Sequence, residues 1–315
     1  MATIVEPQNK SLKTVKISKD SSYFLAAILA IIIWSTSFVG TKIAYTSFSP
    51  LTLGAARFVI ATVVLGIIFL IKRDFTKPTV KDMGLISVSG ILGITIYFAL
   101  ENIGVKLTTA SNAALIVASY PAITALFELL LYRTKISWVK LFGIATAIVG
   151  VYLLVDSNHG DGGKQQLIGN IILIATGIVW AFYNFVTRKV VKKYSMITVS
   201  FYQTVAGTIA FIPLALVERA SWQIPTLTSF LVLLYLGIFC SVTAFVLYNF
   251  GLRKLSPSSA VTLLNLVPVF GVISSVIFLH EVIRVNQLIG GAIVIAGVVL
   301  SVRQVDDNSA RDISN

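Results

Sequence analysis

The sequence predicts an all-α polytopic membrane protein of ten transmembrane helices, arranged as two inverted five-helix repeats. Three observations predict it: the apolar content, the alternation of basic residues along the chain, and a self-similarity at a spacing of 146 to 147 residues. Of 315 residues, 56% are hydrophobic and 12% are charged. One soluble core cannot hide that much apolar surface, so the chain must face lipid.

A hydrocarbon core of roughly 30 Å takes about 20 residues to cross. Apolar runs of that length fall near 23–46, 50–72, 83–106, 108–132, 136–156, 167–190, 197–217, 227–250, 256–280 and 285–303. The gaps between them leave no room for a soluble domain. Residues 1–22 read as a polar cytoplasmic tail, and the apolar run that follows is too long for the core of a cleavable signal peptide. Its Lys10, Lys13, Lys16 and Lys19 either rest on anionic lipid or simply mark the inner side. Residues 304–315 form a second cytoplasmic tail.

The net charge of +12 does not point to nucleic acid, because the Lys and Arg residues sit beside hydrophobic segments. With the N-terminus inside, 19 of the 25 basic residues fall on cytoplasmic segments, including Lys72, Arg73, Arg188, Lys189, Arg253 and Arg303. Only Lys106, Lys164, Arg219 and Arg284 fall outside, and Lys42 and Arg57 lie within spans. This bias places both termini in the cytoplasm of a cell inner membrane. The lone Cys240 lies in an apolar segment and excludes an internal disulfide framework or thiol metal site.

The loop-like stretch 157–166, with Gly160, Asp161, Gly162 and Gly163, falls between five spans and five spans and reads as an external linker. It separates a first repeat, 23–156, from a second, 167–303. A shift of 147 sets Asn102 on Asn249, Gly104 on Gly251, Ser111 on Ser258, Pro121 on Pro268, Gly143 on Gly290 and Gly150 on Gly297. A shift of 146 sets Trp34 on Trp180, Lys42 on Arg188 and Arg57 on Gln203. An odd number of spans per half inverts the second half, and inverted repeats supply two packings of similar energy, the basis of alternating access.

Several local patterns carry a family likeness. The first span reads Trp34-Ser35-Thr36-Ser37-Phe38 with Lys42 beyond, and the second has Ala56-Arg57-Phe58. The fourth runs from Thr109-Ala110-Ser111 to Pro121, and the second half answers with Ser256-Pro257-Ser258-Ser259-Ala260 to Pro268, Leu279-His280-Glu281 and Gly290-Gly291. In these motifs and their spacing, residues 23–303 resemble the drug/metabolite transporters built from two EamA domains. The resemblance implies transport of small solutes, amino acids among them, through a central cavity lined by the first, third and fourth spans of each half. The acidic residue expected after the fourth span is Glu281 in the second half but Thr134 in the first, so a matched carboxylate pair is not implied there.

Ionisable groups inside spans are costly and are the first functional candidates. Lys42 either lines the path or snorkels to the headgroups. Arg57 either braces a helix contact, through Glu101 or a carbonyl terminus, or binds an anion. Glu101 stands one turn beyond Tyr97 on the same face and is the candidate for an external gate and for proton coupling. Glu128 reads best as an interfacial salt bridge with Arg133. Trp34 and Trp180 lie at mid-span rather than at the interfaces, with Ser37 and Phe38 on the face of the first and Tyr183 on that of the second. Tyr97, Tyr120, Tyr248 and Asn265 come from the inferred cavity helices, and Asn112 could present donors to a carboxylate. Core packing is the alternative for each aromatic; as a set they make an apolar pocket with a few polar groups.

Pro121 and Pro268 are the expected hinges. Gly143-x-x-x-Ala147 and Ala292-x-x-x-Ala296 are expected to pack helices closely, within a monomer or in a weak homodimer. Nothing in the chain has the pattern of an enzyme, a metal site or a bound cofactor. The expected function is a secondary transporter, an exporter, that moves a small metabolite such as an aromatic or hydrophobic amino acid by alternating access. The alternatives are an uptake permease for another solute, such as a vitamin or nucleoside-like metabolite, and a non-transporting membrane receptor or scaffold.

Overall fold

A computed structural model describes residues 19–73, 76–132, 138–156, 163–252, 263 and 266–311. The lysines of the N-terminal tail before Lys19, Gly160 to Gly162 of the linker, Arg133, Thr134, the Ser256–Ala260 motif and Asn265 lie outside the described residues. Every regular element among the described residues is helical. Among the described residues, seven helices are long and apolar enough to cross a bilayer: Ser22–Ala44, Pro50–Lys72, Val80–Leu107, Ala110–Glu128, Gly163–Thr187, Met196–Val217 and Leu227–Gly251. Three shorter apolar helices, Leu141–Leu153, Leu266–Leu279 and Val285–Leu300, fall at the fifth, ninth and tenth expected spans.

In element terms the first half holds α1 (Lys19–Ala44), α2 (Pro50–Lys72), α3 (Val80–Gly90), α4 (Tyr97–Leu107), α5 (Ala110–Val117), α6 (Tyr120–Tyr132) and α7 (Trp138–Asp156). The second holds α8 (Gly163–Thr187), α9 (Met196–Val217), α10 (Leu227–Tyr235), α11 (Ala244–Leu252), α12 (Leu266–Leu279) and α13 (Val285–Arg311). The repeat persists at the level of caps. Thr79 accepts from Asp82 N at the start of α3, and Thr226, its equivalent 147 residues on, accepts from Ser229 N at the start of α10. Each side-chain oxygen satisfies one of the donors a helix start leaves open.

The third span of each half departs from a regular α-helix at the same place. Ile91–Ile96, between α3 and α4, and Leu236–Thr243, between α10 and α11, are π-helical. Such segments are rare and cluster at functional sites, because the wider turn re-aims the side chains that follow. Here they precede Tyr97, Phe98 and Glu101 in one half and Phe245 and Tyr248 in the other.

The kink expected at Pro121 takes another form. The fourth span is interrupted by a turn at Ala118 and Ser119, and Pro121 is the second residue of the new helix α6. Pro268 lies in α12, and residues 264 and 265 before that helix lie outside the described residues. Proline has no N–H, which is harmless in a first turn where that donor has no helical partner. The interruption lies before the ring rather than around it. Pro213, inside α9, received no role from the sequence.

Helix contacts relate equivalent elements across an internal two-fold. Thr62 on α2 and its equivalent Thr208 on α9 share a hydrogen bond of 2.9 Å. Trp34 and Trp180 meet edge to face at 6.1 Å. α7 and α13 pack so closely that a Cβ at Gly150 would stand 2.6 Å from Val294 N and 2.9 Å from Gly290 O. At Gly297 a Cβ would collide with the backbone at Ala147 and Gly143. Gly143 and Ala147 therefore pack within the chain as expected. Ala292 and Ala296 do not: they are exposed, and α13 offers the face of Gly290, Val294 and Gly297 instead, the face on which glycine lets the backbones touch.

Candidate functional site

Where the two halves meet, a narrow cavity of about 40 Å³ is enclosed by side chains of eight elements. α1 contributes Trp34, Ser37 and Phe38, and α2 contributes Arg57. Tyr97, Phe98 and Glu101 come from α4, Val117 and Tyr120 from α5 and α6. The second half supplies Trp180 from α8, Phe245 from α11 and Val267 from α12.

The walls are aromatic and the polar groups few. Trp34 packs on Phe245 at 5.1 Å and Tyr248 at 5.0 Å, while Trp180 packs on Tyr97 at 5.3 Å and Tyr183 at 5.1 Å. Ring pairs at these separations add attraction beyond their buried area and fix the walls. Arg57, 2% exposed, donates from Nε to Ser241 Oγ at 2.5 Å and lies over the Phe98 ring at 4.5 Å. Its four other N–H groups have no hydrogen-bond partner among the described residues. Glu101, 7% exposed, accepts from Tyr97 Oη at 3.0 Å and feels the Arg57 charge. Tyr120 Oη bonds Thr176 Oγ1 and donates to Leu173 O at 3.1 Å, which ties the first half to α8.

A buried guanidinium and a buried carboxylate in one aromatic enclosure can receive opposite charges of a single small molecule. Pockets for such solutes run to roughly 300–1,000 Å³, so entry requires the walls to move apart. Two larger grooves, of about 360 and 300 Å³, lie on the periphery between α2 and α9 and between α6, α7 and α8; neither has a charged side chain.

Of the residues singled out by sequence, the structure gathers Trp34, Ser37, Phe38, Tyr97, Glu101, Tyr120 and Trp180 around this cavity. Tyr183 and Tyr248 stand behind it, in ring contact with Trp180 and Trp34. Lys42 and Asn112 belong elsewhere. Asn112 gives its amide group to Thr108 Oγ1 at 3.1 Å and takes Gln287 Nε2 at 2.5 Å. Lys42 is half-buried at the end of α1, within electrostatic range of Glu281 and Lys106. Phe98, Val117, Phe245 and Val267 were missed as lining residues, although Phe245 is the repeat equivalent of Phe98. Arg57 was left between a structural and a binding role; it lines the cavity and braces α11's preceding π segment at once.

Beyond Lys42, Glu281 sits at the start of α5. It accepts from Ala110 N at 2.9 Å and Ser111 N at 3.0 Å, and also from Ser111 Oγ. A carboxylate on the free N–H groups of a helix start meets the positive end of its dipole. His280 makes this reach: its left-handed φ of 54° reverses the chain after α12.

Repeat-related glycines hold two close helix contacts outside the cavity lining. A Cβ at Gly104 on α4 would stand 2.8 Å from Leu173 Cγ and 3.1 Å from Gly169 O on α8. A Cβ at Gly251 on α11 would stand 2.9 Å from Ala27 Cβ and 3.0 Å from Tyr23 O on α1. Gly104 and Gly251 are equivalent positions, at opposite ends of the bundle.

Comparison with known proteins gives this arrangement its context. The chain matches the EamA-like transporter family over residues 21–156 and 167–303, one match per half. It is 30% identical over 287 residues to an uncharacterized transporter of Archaeoglobus fulgidus, covering 90% of this chain and 98% of that one. It is 28% identical to the uncharacterized transporter YetK of Bacillus subtilis, over 94% of this chain and 91% of the relative. A probable terminal-alkyne amino-acid exporter of Streptantibioticus cattleyicolor is 26% identical, over 87% and 91% of the two chains. One crystal structure, at 20% identity, superposes with a TM-score of 0.66 over 91% of this chain and 100% of the other, a likeness of fold. The chain thus belongs to the EamA-like transporter family, within the drug/metabolite transporters, and is a multi-pass membrane transporter.

Proposed function

We propose that the protein is a ten-span inner-membrane exporter of a small amino acid with an aromatic or apolar side chain, with both termini cytoplasmic. The observation that carries this reading is the pair Arg57 and Glu101, both more than nine-tenths buried, in an aromatic cavity where the two repeats meet. Arg57 receives the solute carboxylate through its unpaired N–H groups, Glu101 receives the ammonium, and Trp34, Phe38 and Trp180 enclose the body. The name of the Streptantibioticus relative agrees with a zwitterionic solute and outward transport. Tyr97 and Tyr120 line the cavity beside these rings, and Tyr183 and Tyr248 form the shell behind them.

Alternating access follows from the repeat. The Gly104–Leu173 seam is the outer gate and the Gly251–Ala27 seam the inner gate, and only one opens at a time. Pro121, just after the break at Ala118 and Ser119, and its repeat equivalent Pro268 allow the half-helices to reorient. Glu101, near Arg57, holds either a proton taken from water or the solute ammonium, and this exchange of one for the other links transport to the proton gradient. The protein works as a monomer or weak homodimer: the Gly143 and Ala147 seam is spent on α13, while Ala292 and Ala296 are exposed.

The test is counterflow of radiolabelled neutral amino acids in proteoliposomes of purified protein. Saturable exchange that Arg57→Met abolishes supports the reading. Movement of sugars or polycations alone, or of no solute, sinks it.

A further inference from the structure

Trp34 and Trp180 are equivalent residues whose indoles meet different fates. Trp34 Nε1 donates to Cys240 O at 2.9 Å, a carbonyl inside the π-helical segment Leu236–Thr243. The equivalent position of the first half is Gly93, inside Ile91–Ile96, and there the Tyr183 ring packs over the glycine. Trp180 Nε1 is left buried, with no acceptor among the described residues. Folded proteins rarely leave a buried N–H unpaired, because it has given up water for nothing.

This orphan donor belongs to the wall of the cavity, on a side chain only 5% exposed. Its ring neighbours are Trp34, Tyr97, Tyr183 and Tyr248, none of them charged. Tyr248 Oη, also buried and unpaired, is a second polar atom at this aromatic end. The charges, Arg57 and Glu101, are engaged with Ser241 and the Tyr97 hydroxyl.

We propose that Trp180 Nε1 donates a hydrogen bond to the transported solute, at an acceptor atom on the solute's body and not on its charged head. The inference rests on the amino-acid reading above and sharpens its substrate class. A carboxylate prefers Arg57, because a charge-assisted bond is stronger than one from a neutral indole. The indole is then free to select side chains with an ether, carbonyl or ring-nitrogen acceptor. A site built to make such a bond rejects the hydrocarbon analogue that leaves it unmade.

Two near-isosteric pairs test this in the proteoliposome assay: norvaline against O-methylserine, and phenylalanine against para-pyridylalanine. The wild-type protein should favour the acceptor-bearing member of a transported pair by about tenfold. Trp180→Phe should bring that ratio close to one, lowering transport of the acceptor-bearing member by about tenfold more than that of the hydrocarbon member. Trp34→Phe should keep the preference, because the Trp34 N–H already serves Cys240. Transport without preference in the wild type overturns the inference alone, and requires no variant to fold. Equal losses for both members in Trp180→Phe, as expected if a water satisfies the indole, also overturn it. If neither pair is moved while sugars or polycations are, the amino-acid reading fails and this inference with it.

Discussion

Thr62 Oγ1 and Thr208 Oγ1, equivalent atoms of the two repeats, lie 2.9 Å apart and hydrogen-bond to each other. A contact between equivalents lies on the internal two-fold, so it keeps its geometry when the halves exchange roles. Helices α2 and α9 are therefore the pivot of any such exchange. With Thr62→Cys and Thr208→Cys in a Cys240→Ala background, an oxidised crosslink should leave transport intact. Loss of transport on oxidation, restored by reductant, would show that these helices separate during the cycle.

The glycine seams predict substitutions of opposite sign. Gly104→Ala places a methyl against Leu173 and the Gly169 carbonyl, and Gly251→Ala places one against Ala27 and the Tyr23 carbonyl. Each obstructs one closure, since neither backbone can yield cheaply. With Ser37→Cys as reporter in the cavity, Gly104→Ala should raise labelling by an impermeant maleimide from outside several-fold. Gly251→Ala should raise it from the cytoplasmic side. The same direction for both would remove the seams as gates.

In the proposed cycle, Glu281 should act as a latch on the outer closure through its bonds to Ala110 and Ser111. Glu281→Gln removes the charge on the α5 N–H groups and should cost about 1 kcal/mol. The melting temperature should fall by about 2–4 °C, read by thermal denaturation in detergent. The Ser37→Cys reporter should also become more accessible from outside. A variant with wild-type melting and labelling would leave Glu281 without this role.

Arg57→Lys should not rescue Arg57→Met. A lysine cannot bond Ser241, lie over Phe98 and still offer a planar fork to a carboxylate. Half-saturation for the transported amino acid should rise by at least about tenfold in Arg57→Lys. Ser241→Ala, which frees the guanidinium but keeps its charge, should have the smaller effect. Kinetics in proteoliposomes measure both.

Glu101→Gln separates coupling from recognition. The amide retains the Tyr97 hydroxyl as a partner but cannot carry a proton. Flux driven by a pH gradient should disappear while counterflow persists at reduced affinity. Unchanged proton flux with intact solute flux rules Glu101 out as the coupling group.

Much of this was legible along the chain. Trp34, Trp180 and Glu101 stood out because an indole at mid-span or a carboxyl within a span has no reason to be there unless something meets it. Arg57 could not be assigned, since a buried arginine reads the same whether it bonds a neighbouring helix or a ligand, and here Ser241 and the cavity share it. Asn112 was read as a source of donors for a carboxylate; its contacts with Thr108 and with Gln287, 175 positions away in sequence, could not be read from the chain.

By itself the sequence determined the helical class, the duplication and the family, because hydrophobic runs, charge bias and repeat spacing are properties of the chain read in order. The tertiary structure decided which side chains share one space. It alone revealed the π-helical segments, the glycine seams and the unequal fates of Trp34 and Trp180. Those depend on ångström-scale contacts between residues far apart in sequence, where one filled or vacant acceptor outweighs what the repeat makes equal.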